Sequence, residues 1–505
     1  MNLLDCFSPS LFGKADKTGL TFNGQSYTFG EINVASTITA NALKDKFDIK
    51  KGDRISMYLE NCPELIIFYL ACLKLGVIVV PMNVLYKDRE LSHLIADAEP
   101  KLIFVDQERF EVLKPLLGNF GSIEKVLCTT DIDDTLGWEE LNKDQNTTEV
   151  DYSMVSGDDA ALMIYTSGTT GTSKGALLTH HNLVSNIISL VHCWQWSADD
   201  KFILTLPLFH MHGLGNGVHG WLTSGCHTTL FKRFKADVIL ASIRDNNATL
   251  FFGVPTMYER FLEAFENGVE KPTSIRLLVS GSAPLSPETF AKIESVFGHR
   301  ILERYGMSET AMITSNLYEG PNSRVQGTVG KALPGVSLRI AHPNNEVVGD
   351  DEIGEIQIIG PNVLKCYWRQ EEKTRDAYTE DGFFKTGDLG KFDPNGNVII
   401  TGRAKELIIS GGFNIYPQEI INCLVEHDGV KEAAVIGVPD QRRGELVKAY
   451  IVKETDTVTA EELMAYCSKH LASFKAPRAI EFIDTLPRNA MGKLQLKDLP
   501  NREKL

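Results

Sequence analysis

The 505-residue chain has no stretch approaching the ~18 uninterrupted apolar residues that a membrane span requires. Its most apolar segment, residues 65–80, is broken by Lys74 and Gly76 and reads as a buried helix followed by a strand. Residues 1–14 lack the basic start and small-residue cleavage site of a secretory signal, so a cytoplasmic protein is expected. Cysteine is sparse: nine residues are scattered, none in a C-x-x-C pair. That argues against a disulfide framework or structural zinc site and for a reducing compartment. Basic charge is short as well. Fifty-one Lys and Arg against 66 Asp and Glu leave a formal net charge of −15, which argues against a broad nucleic-acid-binding face. Small anionic ligands remain open, because a few basic side chains in a loop can hold phosphates against an acidic average.

What is present is a chain of ordinary globular composition, 43% hydrophobic and 23% charged. Residues 54–59, 77–81 and 101–105 read as strands, separated by helices over 63–74 and 88–98, with Asp88 as the N-cap of the second. The alternation continues through strands at 202–206, 249–253, 277–280 and 300–303. Such βαβα order predicts doubly wound, mostly parallel sheets covered by helices. From about residue 320 short strands with turn signals (337–341, 354–359, 397–401) predict an antiparallel β subdomain. A third texture follows: strands at 407–410, 433–438, 446–452 and 479–483, with helices opening at Pro417 and Thr459. The expected organisation is an α/β N-terminal domain over 1–402, its β subdomain at 320–402, and a small α+β C-terminal domain over 403–505.

One stretch carries chemistry on its face. Residues 165–175 read Tyr-Thr-Ser-Gly-Thr-Thr-Gly-Thr-Ser-Lys-Gly, between an apolar strand at 160–164 and a helix expected to begin near Thr179. Thr166, Ser167, Gly168, Thr169, Thr170 and Gly171 let a backbone approach a polyphosphate and add hydroxyl donors, and Lys174 adds charge. The spacing matches neither G-x-x-x-x-G-K-[ST] nor G-x-G-x-x-G.

This loop resembles the signature of the adenylate-forming superfamily, and further motifs follow in order over nearly the whole chain. They are Ser280-Gly-Ser-Ala-Pro-Leu285, Tyr305-Gly-Met-Ser-Glu309, Thr386-Gly-Asp388, Gly402-Arg403-Ala-Lys405 and Pro487-Arg-Asn-Ala-Met-Gly-Lys493. The resemblance implies an acid–thiol ligase that makes an acyl-adenylate from ATP, then a thioester with coenzyme A, releasing AMP and pyrophosphate. It implies that 166–174 wraps the phosphates and that Glu309, with Thr166 nearby, ligates Mg²⁺. Tyr305 through Ser308 (Gly306 and Met307 between them), with Ser282, Ala283 and Pro284, would enclose the adenine. Asp388 and Arg403 would hold the ribose, and Lys493 would bridge carboxylate and α-phosphate during adenylation only. The C-terminal domain would be mobile, pivoting near Lys405 to bring Gly412 toward the pantetheine arm. Ile409 stands where several relatives carry lysine, so a CoA contact there is lost or changed.

Within the superfamily the chain most closely resembles the malonyl-CoA synthetases. Arg304 precedes the Tyr-Gly motif, where many relatives that take apolar acids have glycine. A buried arginine is costly against a fatty chain but pairs bidentately with a second carboxylate. The implied pocket includes His210, Arg304 and Ser282, with Arg276 as a helper and His212 as a structural residue. Zinc at the His210-x-His212 pair is disfavoured, since no carboxylate or cysteine lies near in sequence. Malonate or a small substituted malonate is the expected acid, with a short, medium-chain or aryl monocarboxylate as the alternative. A carrier-protein thiol is an alternative acceptor to CoA.

Overall fold

The computed structural model describes residues 1–166, 173–349, 351–410, 413–440, 442–489 and 492–502. The chain folds as two compact units, Met1–Ser337 with Ile359–Tyr378, and Leu338–Ile358 with Thr379–Leu505. The strands of the antiparallel β subdomain expected over 320–402 are divided between these units at residues 337–338 and 358–359, and most of them share a unit with the C-terminal elements.

The first unit is built on two large sheets. One has eight strands, and its parallel centre orders Ile78–Pro81, Arg54–Tyr58, Leu102–Val105 and Lys125–Cys128. These strands are buried nearly throughout, as expected of a parallel sheet covered on both faces. The helix Pro63–Lys74 starts on proline at its first turn and is apolar almost all round, so it is interred. The helix Asp88–Ala98 lays Leu91, Leu94, Ile95 and Ala98 into the same core. Asp88 is its first helical residue and not its N-cap. Lys87 is the extended residue before it, and its N–H donates to Glu90 Oε2 at 3.1 Å.

The strand and the helix expected around the glycine-rich stretch are both present, with one further strand between them. The strand Ala160–Thr166 is followed by a second strand, Lys174–Thr179, antiparallel to it, with Thr166 opposite Lys174. Only then does the helix His180–Cys193 begin, with Thr179 as its N-cap. The two strands form a hairpin, so no helix N-terminus follows the stretch directly. A short strand, Cys366–Tyr367, pairs on the far side of Lys174–Thr179.

The other large sheet has nine strands, and Lys201–Leu204, Leu250–Gly253, Leu277–Ser280 and Leu302–Met307 run parallel in its centre. The last of these is longer than the 300–303 expected. It carries Arg304 through Met307 in antiparallel pairing with Ala311–Ser315, with a register shift between Tyr305 and Gly306.

The second unit contains the antiparallel sheet Ser337–Ala341, Gly354–Ile359, Phe384–Phe392 and Val398–Arg403. A further five-stranded sheet pairs Val430–Asp440 with Gly444–Lys453 and adds Ala479–Phe482 in parallel. Pro417–Val425 and Ala460–His470 cover its apolar face. The architecture is thus α/β sheets with an antiparallel sheet and a small α+β set. No helix among the described residues is long and apolar enough to cross a membrane.

Candidate active site

In the first unit, residues from distant parts of the chain converge on Glu309. This carboxylate is buried, and Oε1 accepts from the Thr166 hydroxyl at 3.0 Å and from the Tyr367 hydroxyl at 3.3 Å. Its own carbonyl accepts from Leu364 N–H at 2.7 Å, which fixes the 364–368 segment against it. Lys174 places its ammonium 4.8 Å above the Tyr367 ring. Burial and then Lys373 lower the Lys174 ammonium, while Glu309 opposes the shift. Burial and the Glu309 charge push the Tyr367 phenol far up, so it remains a hydrogen-bond donor. Tyr367 was invisible in the sequence, where the only signal was a Tyr-Trp pair ahead of a charged helix. Hard oxygen donors from Thr166 and Glu309 at hydrogen-bond range fit a magnesium ion. Ser167, Gly168, Thr169, Thr170 and Gly171 lie outside the described residues, as does Gly412.

The second cluster of this unit lies where Leu277–Ser280 and Leu302–Met307 run side by side, Ser280 opposite Glu303. The register brings Gly281 next to Arg304. A Cβ on Gly281 would stand 2.5 Å from Arg304 Cζ, so the guanidinium occupies the space that glycine leaves. Arg304 is only 3% exposed, and its Nε and Nη2 have no hydrogen-bond partner among the described residues. Burial lowers it to about 9, so it stays charged at neutral pH. Buried polar groups are nearly always paired, so these open donors stand out. Ser282 holds a left-handed φ of +73°, rare for a side-chain-bearing residue. Its Oγ reaches His212 Nδ1 at 3.3 Å.

His212 thus packs into the same cluster as Ser282. Its Nε2 is buried without a partner, and burial, then Arg304 and His210, hold it well below the usual histidine range. His210 is lowered by burial to about 4, with its Nε2 also unpartnered. Both rings are neutral at physiological pH. No group of three or more His, Cys, Asp or Glu suited to a metal occurs among the described residues. Gly306 sits where a Cβ would meet the Ala311 carbonyl at 2.0 Å, so the Tyr-Gly step tolerates no side chain there. Tyr305, Met307, Ser308, Ser282 and Ala283 are half-buried, and Pro284 is exposed.

Arg276 does not join this cluster. Its guanidinium pairs with the buried Asp200 through Nε at 2.7 Å and Nη2 at 2.6 Å. It also donates to the Trp194 and Gln195 carbonyls and lies over the Tyr318 ring. Arg276 is therefore not the helper expected at the acyl pocket, because Asp200 and these carbonyls occupy its donors.

In the second unit, Asp388 and Arg403 are register partners, and Arg403 Nε lies 3.2 Å from Asp388 Oδ1. Asp388 is itself buried. Lys405 is exposed on a single 3₁₀ turn, Ala404–Glu406. Lys493 sits in a turn that Asn489 braces from both sides: Lys493 N–H donates to Asn489 Oδ1 at 3.0 Å, and Asn489 N–H donates to the Lys493 carbonyl at 2.9 Å. Burial and then Arg403 lower its ammonium to about 8, against the opposing charges of Asp388 and Glu406. Ile409 is exposed, its N–H donating to Glu445 Oε2.

Comparison with known proteins accounts for this assembly of motifs. Residues 10–368 match the model of the AMP-binding enzyme family, and residues 419–493 match the AMP-binding enzyme C-terminal domain. The chain belongs to the AMP-binding enzyme family. A malonate–CoA ligase of Arabidopsis thaliana is 32% identical over 96% of this chain and 86% of its own length. A long-chain-fatty-acid–CoA ligase of Bacillus subtilis (strain 168) is 34% identical, covering 97% of this chain and 92% of its own. The crystal structure of ATP-bound MatB from Rhodopseudomonas palustris is 38% identical, covers 98% of each chain and superposes with a TM-score of 0.90. The family member described here is an acid–CoA ligase that resembles the malonyl-CoA synthetases, and ATP and CoA are substrates of that class.

Proposed function

We propose that this ligase activates malonate or a small substituted malonate. The observation that carries the reading is Arg304: a buried guanidinium with two open donors, held against Gly281 and beside His212. An uncompensated buried charge is costly. A distal carboxylate would neutralise it through a bidentate bond, which a fatty or aryl acid cannot supply. The malonate–CoA ligase and MatB likenesses support the same acid, whereas the fatty-acid ligase at similar identity shows that overall likeness alone does not choose it.

Adenylation joins two anions, so the chain's task is to neutralise and align more than to supply a base. In our reading Lys174 and the 166–171 backbone and hydroxyls take the β- and γ-phosphates. Thr166 and Glu309 would hold a magnesium ion, whose charge would offset that of the phosphate oxygens. Tyr305, with Ala283 and Pro284, lines the adenine, and Asp388 and Arg403 bind the ribose. The substrate carboxylate attacks the α-phosphorus, pyrophosphate leaves, and Lys493 stabilises the charge between them. Neutral His210 forms a pocket wall toward the acceptor thiol. The boundary near 402–405, with Lys405 as pivot, separates the segment that exchanges Lys493 for the Gly412 face between the two half-reactions.

Incubation with malonate, ATP, Mg²⁺ and CoA is expected to yield malonyl-CoA, AMP and pyrophosphate by mass spectrometry. ADP and phosphate as products, or no thioester, would overturn the reading. A pH dependence follows from Lys493. Its protonated form carries the needed charge, and that form is lost as pH rises through about 8. The kcat/KM for ATP–pyrophosphate exchange should therefore fall above that value, while kcat, measured with the anionic nucleotide bound, falls at higher pH. A kcat/KM that stays level to about pH 9.5 would contradict this.

A further inference from the structure

The helix Asp88–Ala98 contributes no residue to the site described above, yet it touches the site's scaffold at three points. His93 and Asp97 lie four residues apart and so share one face of that helix. His93 Nε2 lies 2.8 Å from the Ser173 carbonyl, a geometry in which the ring must donate. Asp97 Oδ2 accepts from the Tyr165 hydroxyl at 2.6 Å. The Asp97 carbonyl accepts from Trp368 Nε1 at 3.0 Å. The His93 ring also meets Tyr165 edge-on, with centroids 6.1 Å apart.

The partners are not a random sample of surface. Tyr165 adjoins Thr166, Ser173 adjoins Lys174, and Trp368 adjoins Tyr367. Each contact fixes the residue next to one that reaches Glu309 or stands over Tyr367. Burial and the Asp97 carboxylate push the Tyr165 phenol far up, so the hydroxyl stays a donor across the working pH range. The opposite side of the helix is anchored in the core by Leu91, Leu94 and Ile95. The helix is thus a fixed rail, and the two stems of the hairpin are tied to it by different side chains.

We propose that His93 and Asp97 are positioning residues for ATP, setting the distance and tilt of Thr166 and Lys174 relative to Glu309. Neither touches a reacting atom. This inference rests on the reading of 166–174 as the polyphosphate-binding stretch. It predicts a selective defect. Loss of either tie should weaken use of the β- and γ-phosphates and leave the thioester step, which starts from the acyl-adenylate, intact.

The test compares His93→Phe, His93→Gln and Asp97→Ala in the full-length enzyme, with Lys174→Ala as reference. Phenylalanine keeps the ring edge and loses the donor, whereas glutamine places an amide N–H within similar reach. His93→Phe and Asp97→Ala are expected to raise the KM for ATP in ATP–pyrophosphate exchange about tenfold, as one lost polar tie of ~1.4 kcal/mol would. Under the proposal, His93→Gln stays within about threefold of wild type, and thioester formation from a supplied acyl-adenylate changes less than about twofold in all three. If Lys174→Ala raises the KM for ATP while His93→Phe and Asp97→Ala do not, the positioning role is wrong and the loop reading stands. Equal loss of both half-reactions, or equal effects of Phe and Gln at His93, would reduce these residues to packing. An unchanged KM in Lys174→Ala would sink the loop reading itself.

Discussion

Lys493→Ala is expected to abolish acyl-adenylate formation while largely sparing transfer from a supplied acyl-adenylate to CoA. The bond-forming step brings a carboxylate against a phosphate, and negative charge concentrates between them. Removing a positioned donor from such a transition state typically costs ~10²–10³ in rate. An ammonium aimed at two anions stands at the upper end of that range. The substitution should do little to the turn that carries it, because the bonds to Asn489 that frame the turn run through the Lys493 backbone. The ammonium is held at about 8 by burial and the nearby Arg403, so its removal relieves an unfavourable charge and should not unfold the unit. Separate assays of ATP–pyrophosphate exchange and of thioester formation read the two steps. A parallel decline in both would show that Lys493 serves the fold, or the second step, instead.

Arg304→Met should reverse two properties at once. Malonate-dependent exchange is expected to drop by ~10²–10³, the price of leaving a carboxylate buried without its cation. The unliganded enzyme should nevertheless melt at a higher temperature, because the wild-type guanidinium is buried without a partner on Nε and Nη2. Methionine of similar length fills the same space without charge, and hydrophobic replacement of even paired buried charges is often neutral or stabilising, by about 1–4 kcal/mol. Added malonate should raise the melting temperature of the wild type and leave that of the variant unmoved. A structural arginine would behave oppositely: its loss would lower the melting temperature, and the acid preference would not change.

Much of this site was legible because its chemistry is written in local motifs. The strands at Arg54–Tyr58 and Leu277–Ser280 and the helix Pro63–Lys74 were legible for a related reason, since a buried parallel sheet demands near-continuous apolar runs. What escaped depended on partners far away in sequence. The strand Lys174–Thr179 is half hydroxyl, glycine and lysine, and its pairing with Ala160–Thr166 and Cys366–Tyr367 makes it a strand. Arg276 looked available until Asp200, 76 residues away, proved to hold it. His212 meets the Ser282 hydroxyl on a left-handed backbone, which no propensity would assign to serine. Tyr367 reaches Glu309 from 58 residues away, and no periodicity announces that bond. The second carboxylate of the substrate, by contrast, was inferred from one residue type at one motif position, and the buried, open guanidinium of Arg304 gives that inference a physical basis.

The most direct test is ATP–pyrophosphate exchange with wild-type enzyme across malonate, methylmalonate, acetate, octanoate and coumarate. The buried guanidinium predicts kcat/KM for malonate or methylmalonate at least ~10²-fold above that for each monocarboxylate. Exchange driven by octanoate or coumarate but not by malonate would contradict the account.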